Sequence, residues 1–152
     1  MATIVEAYSE PTEIILDLLG KGLPLFRSVR SFLDLRKAVY KGIPYSSYES
    51  LRRQLHATHS ELAALLLIAP RTLQRRKEKR RFTSEESDRI LRLARIFACS
   101  IQVFGDREKA VHWLKSSIPA LGRVSPWSLL DTDIGARNVE DLLGRIEFGV
   151  HS

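Results

Sequence analysis

The chain has 152 residues, 44% of them apolar and 28% charged, with a formal net charge of +6 and a pI near 9.8. This composition belongs to a globular chain that can bury a core in one domain or two small ones, not to a disordered one, and its cationic excess favours an anionic partner, nucleic acid ahead of membrane. Cys99 is the single cysteine, which excludes an internal disulfide and fits a reducing cytoplasm; Glu6, Glu10, Glu13 and Asp17 interrupt any leader-like segment, and the longest apolar run, Leu62–Pro70, is too short to span a bilayer.

The first helical spacing is Ile14, Ile15, Leu18 and Leu19, broken by Gly20, Gly22 and Pro24. Residues 25–40 predict a second helix with Phe26, Val29, Leu33 and Lys37 on one side, stopped by Gly42 and Pro44. A third begins at Ser47 and carries Tyr48, Leu51 and Leu55. Thr58-His59-Ser60-Glu61 has capping-box spacing, in which the Thr58 hydroxyl and the Glu61 carboxylate each satisfy a free backbone N–H. A short helix over 59–66 follows, with Leu62, Leu65 and Leu66 inward. Ile68-Ala69-Pro70 makes a turn, and Pro70 suits the first turn of a helix from Arg71 to Lys79.

Thr83-Ser84-Glu85-Glu86 is a second capping box, opening a long helix with Ile90, Leu93, Ala94, Phe97, Ile101 and Phe104 on one stripe. Asp106 caps a helix through Lys115. After a loop at Pro119 and Gly122, Ser125-Pro126 starts a short helix. A last helix carries Val139, Leu142, Leu143 and Ile146, with Gly149 as its C-terminal cap. No segment alternates with period two. The expected fold is all-α, in three parts: 1–44, 45–105 and 106–152.

Charge is unevenly placed. Arg71–Arg81 holds seven basic residues against Glu78, whereas Asp131–Val150 holds five acids and two arginines. Two short helices joined by a tight turn at 59–79, the second rich in arginine, match a Cro-like helix-turn-helix, whose second helix enters the major groove. Arg71, Thr72, Gln74 and Arg75 are expected to point outward. Arg can bridge guanine and Gln can bridge adenine through paired hydrogen bonds. Arg76, Lys77, Lys79, Arg80 and Arg81 are expected to track phosphates. The competing interpretation is a solvated basic helix. For the C-terminal acids it is ordinary capping and compensation of the helix dipole, at Asp131 and Asp133 above all.

His56 and His59 share a helix face but have no third ligand near in sequence, so no metal is expected. There is no glycine-rich phosphate loop and no nucleophile–base pair, so neither catalysis nor a cofactor is expected. Trp113 and Trp127 read as packing anchors and Cys99 as a core residue. Part of the long apolar stripe could form a homodimer seam, as two-fold operators favour.

The ordered motifs Trp113-Leu114, Pro119–Gly122, Ser125–Ala136 and Val139–Val150, with Arg71–Arg76 and Ser84–Arg95 upstream, resemble the MbcA/ParS/Xre antitoxin family over residues 45–150. The chain departs from the family's pattern at Arg123, where a second glycine is common, and at Ile118, where Asn is common. The resemblance implies a type II antitoxin. Its partner would be a RES-domain toxin, a class that looks like ADP-ribosyltransferases and consumes NAD. The C-terminal part would cover the toxin's active-site cleft, and the DNA-binding part would repress the shared operon. Asp141, Arg145, Glu147, Gly149 and Val150 would contact the toxin. The alternative is a stand-alone helix-turn-helix regulator whose C-terminal module senses a ligand or protein.

Overall fold

A computed structural model describes residues 3–149, with side chains from residue 11 onward. The architecture is all-α: eight α-helices and three single 3-10 turns, with only isolated β-bridges among the described residues. The chain divides into two compact units, Met1–Arg95 and Ile96–Ser152.

In the first unit, α1 (Thr3–Leu19) packs on α3 (Tyr45–Gln54). Ile15, Leu18 and Leu19 are fully buried. The Leu18 carbonyl, left without an intrahelical partner at the helix end, accepts from Ser50 Oγ at 2.8 Å and Gln54 Nε2 at 3.2 Å. The single helix expected over 25–40 is instead a 3-10 turn at Pro24–Phe26 followed by α2 (Phe32–Lys41). The break has a local cause. Ser31 Oγ accepts the Asp34 N–H at 3.3 Å, and the Asp34 carboxylate accepts the Arg30 N–H at 2.8 Å, which starts a new helix there. Phe26 and Val29 are buried as expected, but Leu33 is 70% exposed, and α2 turns Leu35, Ala38 and Val39 inward. Helix α3 starts two residues before Ser47, because Pro44 ends the extended link in a conformation that feeds directly into it.

Helices α4 (His59–Leu65) and α5 (Pro70–Lys79) lie within a residue of expectation. The Glu61 N–H donates to Thr58 Oγ1 at 3.0 Å; the Glu61 carboxylate accepts from the Thr58 hydroxyl rather than from a backbone N–H. Helices α3 and α4 end in the same way. Ala57 N–H donates to Arg52 O and His56 N–H to Arg53 O. Likewise Ile68 N–H donates to Ala63 O and Leu67 N–H to Ala64 O. These are Schellman closures with His56 (φ 52°) and Leu67 (φ 57°) at the left-handed position that glycine favours. Helix α6 (Ser84–Phe104) opens on the second box: Thr83 N–H donates to Glu86 Oε1 at 2.9 Å and Glu86 N–H to Thr83 Oγ1 at 3.3 Å.

In the second unit, Asp106 caps α7 (Arg107–Lys115) by accepting the Lys109 N–H at 2.9 Å. The loop closes on itself through Ile118 N–H to Val124 O and Ser117 Oγ to Arg123 O, with Gly122 and Arg123 both left-handed. The segment after Ser125 is a single 3-10 turn, Trp127–Leu129, rather than an α-helix; Ser125 Oγ still accepts the Ser128 N–H. Thr132 caps α8 (Asp133–Glu147), whose Gly135 lies so close to the Leu129 carbonyl that a Cβ would collide with it. Ala136, Val139, Leu142 and Leu143 form its buried stripe.

Candidate nucleic-acid interface and partner-binding helix

The elbow between α4 and α5 is built from local signals and braced from outside. Leu62, Ala63, Leu66, Ile68 and Leu73 are buried, and Arg89 Nε of α6 donates to the Leu66 carbonyl at 2.8 Å. Pro70 opens α5 without a side-chain cap, and its missing N–H leaves one fewer free donor in the first turn. On α5, Arg71, Gln74 and Arg75 are exposed and lie on one face by their spacing, with exposed Glu78 one turn further along the same face. Thr72 is half-buried on one flank, and Lys79 is exposed.

Arg76 departs from the phosphate-tracking role expected of it. It follows Leu73 by three residues, on the inward side, and its Nε meets Glu86 Oε1 at 2.7 Å with the two side chains 16% and 8% exposed. Burial works against the Glu86 charge. The Arg76 guanidinium, the Thr83 N–H and the Thr83 hydroxyl outweigh it and hold the carboxyl below its usual range. Arg76 thus ties α5 to the start of α6.

Lys77 lies on the opposite flank from Thr72, toward Tyr45. It lines a groove of about 490 Å³ floored by Ala63, Ile68 and Leu73 and rimmed by His59, Ser60 and Gln74. Beneath it Tyr45, Tyr48 and Phe82 form an aromatic cluster with ring centroids 5.3–5.8 Å apart. The Tyr48 hydroxyl bonds His59 Nδ1 at 3.1 Å, and burial pushes the Tyr48 phenol up. His59 is thereby a packing partner of Tyr48, and among the described residues no three His, Cys, Asp or Glu side chains gather as a metal site. Arg80 closes α5 in the left-handed conformation (φ 65°), and Arg81 is extended against Pro44, its Nη1 donating to Lys41 O at 3.2 Å.

On α8, Asp141 and Arg145 are exposed one turn apart and line a pocket of about 310 Å³ with Asn138, Leu121 and Leu129. Glu147 and Gly149 are exposed at the end of the helix; Val150 lies outside the described residues. The structure therefore separates the expected toxin contacts into a pocket pair and a terminal turn. That turn also carries Ile146, 39% exposed rather than inward, and Phe148, 78% exposed. Phe148 has no place in the sequence reading, although it falls off the buried stripe. Asp133 pairs with Arg137 at 2.9 Å, in keeping with an ordinary first-turn acid.

Residues 34–95 match the antitoxin Xre-like helix-turn-helix domain, and residues 100–149 match the antitoxin Xre/MbcA/ParS C-terminal toxin-binding domain. Along 135 residues the chain is 35% identical to the antitoxin Xre of Photorhabdus laumondii, covering 85% of this chain and 91% of that one. The antitoxin Xre of Yersinia enterocolitica is 37% identical over 133 residues, covering 86% and 87%. The chain belongs to the Xre-type antitoxin family. A Sphingobium protein named Prs ADP-ribosylating antitoxin is 26% identical over 144 residues, covering 86% and 91%. As an Xre-type antitoxin the molecule is a non-catalytic DNA- and toxin-binding protein. Helices α3, α4 and α5 lie in its helix-turn-helix domain, and α7 and α8 lie in its toxin-binding domain. Helix α1 and the 24–26 turn precede the segment matched to the family. Among the described residues no helix is long and apolar enough to cross a membrane.

Proposed function

We propose that this antitoxin neutralises a cognate NAD-degrading RES-domain toxin by covering the toxin's active site with its C-terminal region, and that it represses its own operon as a homodimer on DNA. The observation that carries the first half is the division of α8. Ala136, Val139, Leu142 and Leu143 are buried, whereas Ile146, Glu147, Phe148 and Gly149 are exposed. The last turn can enter a partner's cleft while that stripe stays in place. Asp141 and Glu147 complement a cleft made cationic to receive a dinucleotide, and Phe148 supplies an apolar anchor. The likeness to a protein named for ADP-ribosylation supports a partner of that chemistry. In this reading Arg145, Gly149 and Val150 complete the contact.

For DNA, Arg71, Gln74 and Arg75 read base edges, Thr72 supports them from the flank, and Lys77, Lys79, Arg80 and Arg81 meet phosphates. Residues 45–105 carry this activity and 106–152 carry toxin binding. The test of the toxin half is NAD consumption by the neighbouring gene product, alone and with antitoxin. Full-length antitoxin is expected to stop turnover, and a chain ending at Glu147, which keeps the buried stripe, to inhibit at least tenfold more weakly. Equal inhibition by the shortened chain would overturn the covering mechanism. Replacing Arg71 with Ala should cost operator binding roughly 1–3 kcal/mol.

A further inference from the structure

We infer that a cleft beside the helix-turn-helix, walled by Arg53, Lys77, Arg80 and Arg81, holds backbone phosphates of duplex DNA outside the groove that α5 reads; this rests on the DNA-binding reading above. The cleft measures about 860 Å³ and lies within the first unit, with Pro24 and Leu25 lining it beside the start of α3. Its four cations come from the end of α3, from α5 and from the segment that follows α5. The acid among its lining, Glu49, is already engaged: its carboxylate accepts from Arg52 Nη2 at 3.1 Å and lies 3.5 Å from His59 Nε2. Arg53, Lys77 and Arg80 have no carboxylate within ion-pair distance among the described residues. Four cations gathered around open space, with no acid to neutralise them, form a site for an extended polyanion.

The wall is fixed by backbone. Tyr45 N–H donates to Arg80 O at 3.0 Å, and Phe82 N–H donates to Ile43 O at 2.9 Å, so the chain carrying Arg80 and Arg81 is stitched to the start of α3. Arg80 holds a left-handed backbone that its side chain disfavours. Glycine would sit there more easily. Continuity selects duplex DNA over other polyanions. Lys77 and Tyr45 line both this cleft and the groove at the α4–α5 elbow. From Gln74 to Arg80 the helix advances about 9 Å, enough to pass from the floor of a major groove about 12 Å wide to its phosphate rim.

The test uses the full chain, its operator duplex and an unrelated duplex of equal length, with affinity measured across a salt series. Arg53→Gln combined with Arg80→Gly should weaken both duplexes by the same factor and make the slope of log affinity against log salt shallower by about 2. Its melting temperature should hold or rise, because glycine relieves the left-handed residue. Arg71→Ala should instead reduce the ratio of operator to unrelated binding. If the double variant keeps the wild-type slope while the wild type binds its operator, the cleft assignment and the phosphate role given to Arg80 are wrong, and base reading by Arg71, Gln74 and Arg75 stands. If the wild type binds neither duplex at low salt, yet binds vesicles of equal parts phosphatidylcholine and phosphatidylserine, both the cleft assignment and the DNA reading are wrong.

Discussion

Replacing Arg76 with Ala strands the Glu86 carboxylate. Glu86 is 6% exposed and has two partners of consequence, Arg76 Nε at 2.7 Å and the Thr83 N–H at 2.9 Å. Removing one member of a buried pair costs about 3–5 kcal/mol, because the remaining charge is left uncompensated. The Thr83 N–H persists and Arg76 is 16% exposed, so the lower end, about 3 kcal/mol, is expected. The assay is urea unfolding followed by helical circular dichroism at neutral pH. Arg76→Met combined with Glu86→Leu removes both charges and should lose less than Arg76→Ala alone; with Arg76→Met and Glu86→Leu also measured singly, the cycle should give a coupling of about 2 kcal/mol. Acid gives an independent check. The Glu86 carboxyl is held below its usual range in the fold, so its stabilisation is complete above the unfolded value of about 4.3 and fades as pH falls through the lower folded value. Arg76→Ala should flatten that acid limb. A loss under about 1 kcal/mol, or a DNA salt slope that falls in Arg76→Gln as it does for Arg80, would refute the inward assignment.

Gly42→Ala should destabilise the first unit by about 2–4 kcal/mol, since Gly42 has φ +95° and a Cβ would lie 2.5 Å from the Phe82 carbonyl oxygen; thermal unfolding reads it. Gly135→Ala should cost a similar amount in the second unit, because the new methyl meets the Leu129 carbonyl; Trp113 and Trp127 fluorescence on urea titration reports it. Leu67→Gly runs the other way. It should raise stability by about 0.5–1 kcal/mol by putting glycine at the left-handed closure of α4, and a lowered urea midpoint would contradict it.

The helix-turn-helix was legible because its signals are local. Thr58, Pro70 and Thr83 announce helix starts within a few residues of where the chain obeys them, and the Leu73 spacing marks the inward face. Helix α2 was misread for a local reason too. Phe26, Val29 and Leu33 mimic a helical period, while the Ser31–Asp34 cap that breaks it lies between them. Arg76 was hidden by composition, since a run of cations does not say which member turns in; its place one turn after Leu73 was the available signal. The cleft was out of reach, because Arg53 and Arg80 are brought together only by the backbone bridge between Pro44 and Arg81. On α8 the stripe through Val139, Leu142 and Leu143 was plain, but the turn that frees Ile146 and Phe148 is set by how far the core extends along the helix.

His56, Leu67, Arg80 and Arg123 all hold left-handed backbone without being glycine. At about 0.5–1 kcal/mol each, the four together forgo about 2–4 kcal/mol, a sizeable share of the roughly 5–15 kcal/mol that separates a small domain from its unfolded chain. Opened molecules are correspondingly more abundant at any moment. Where cleavage is slower than reclosing, a protease samples that open fraction, so glycine at these four positions should lengthen the survival of the chain under protease.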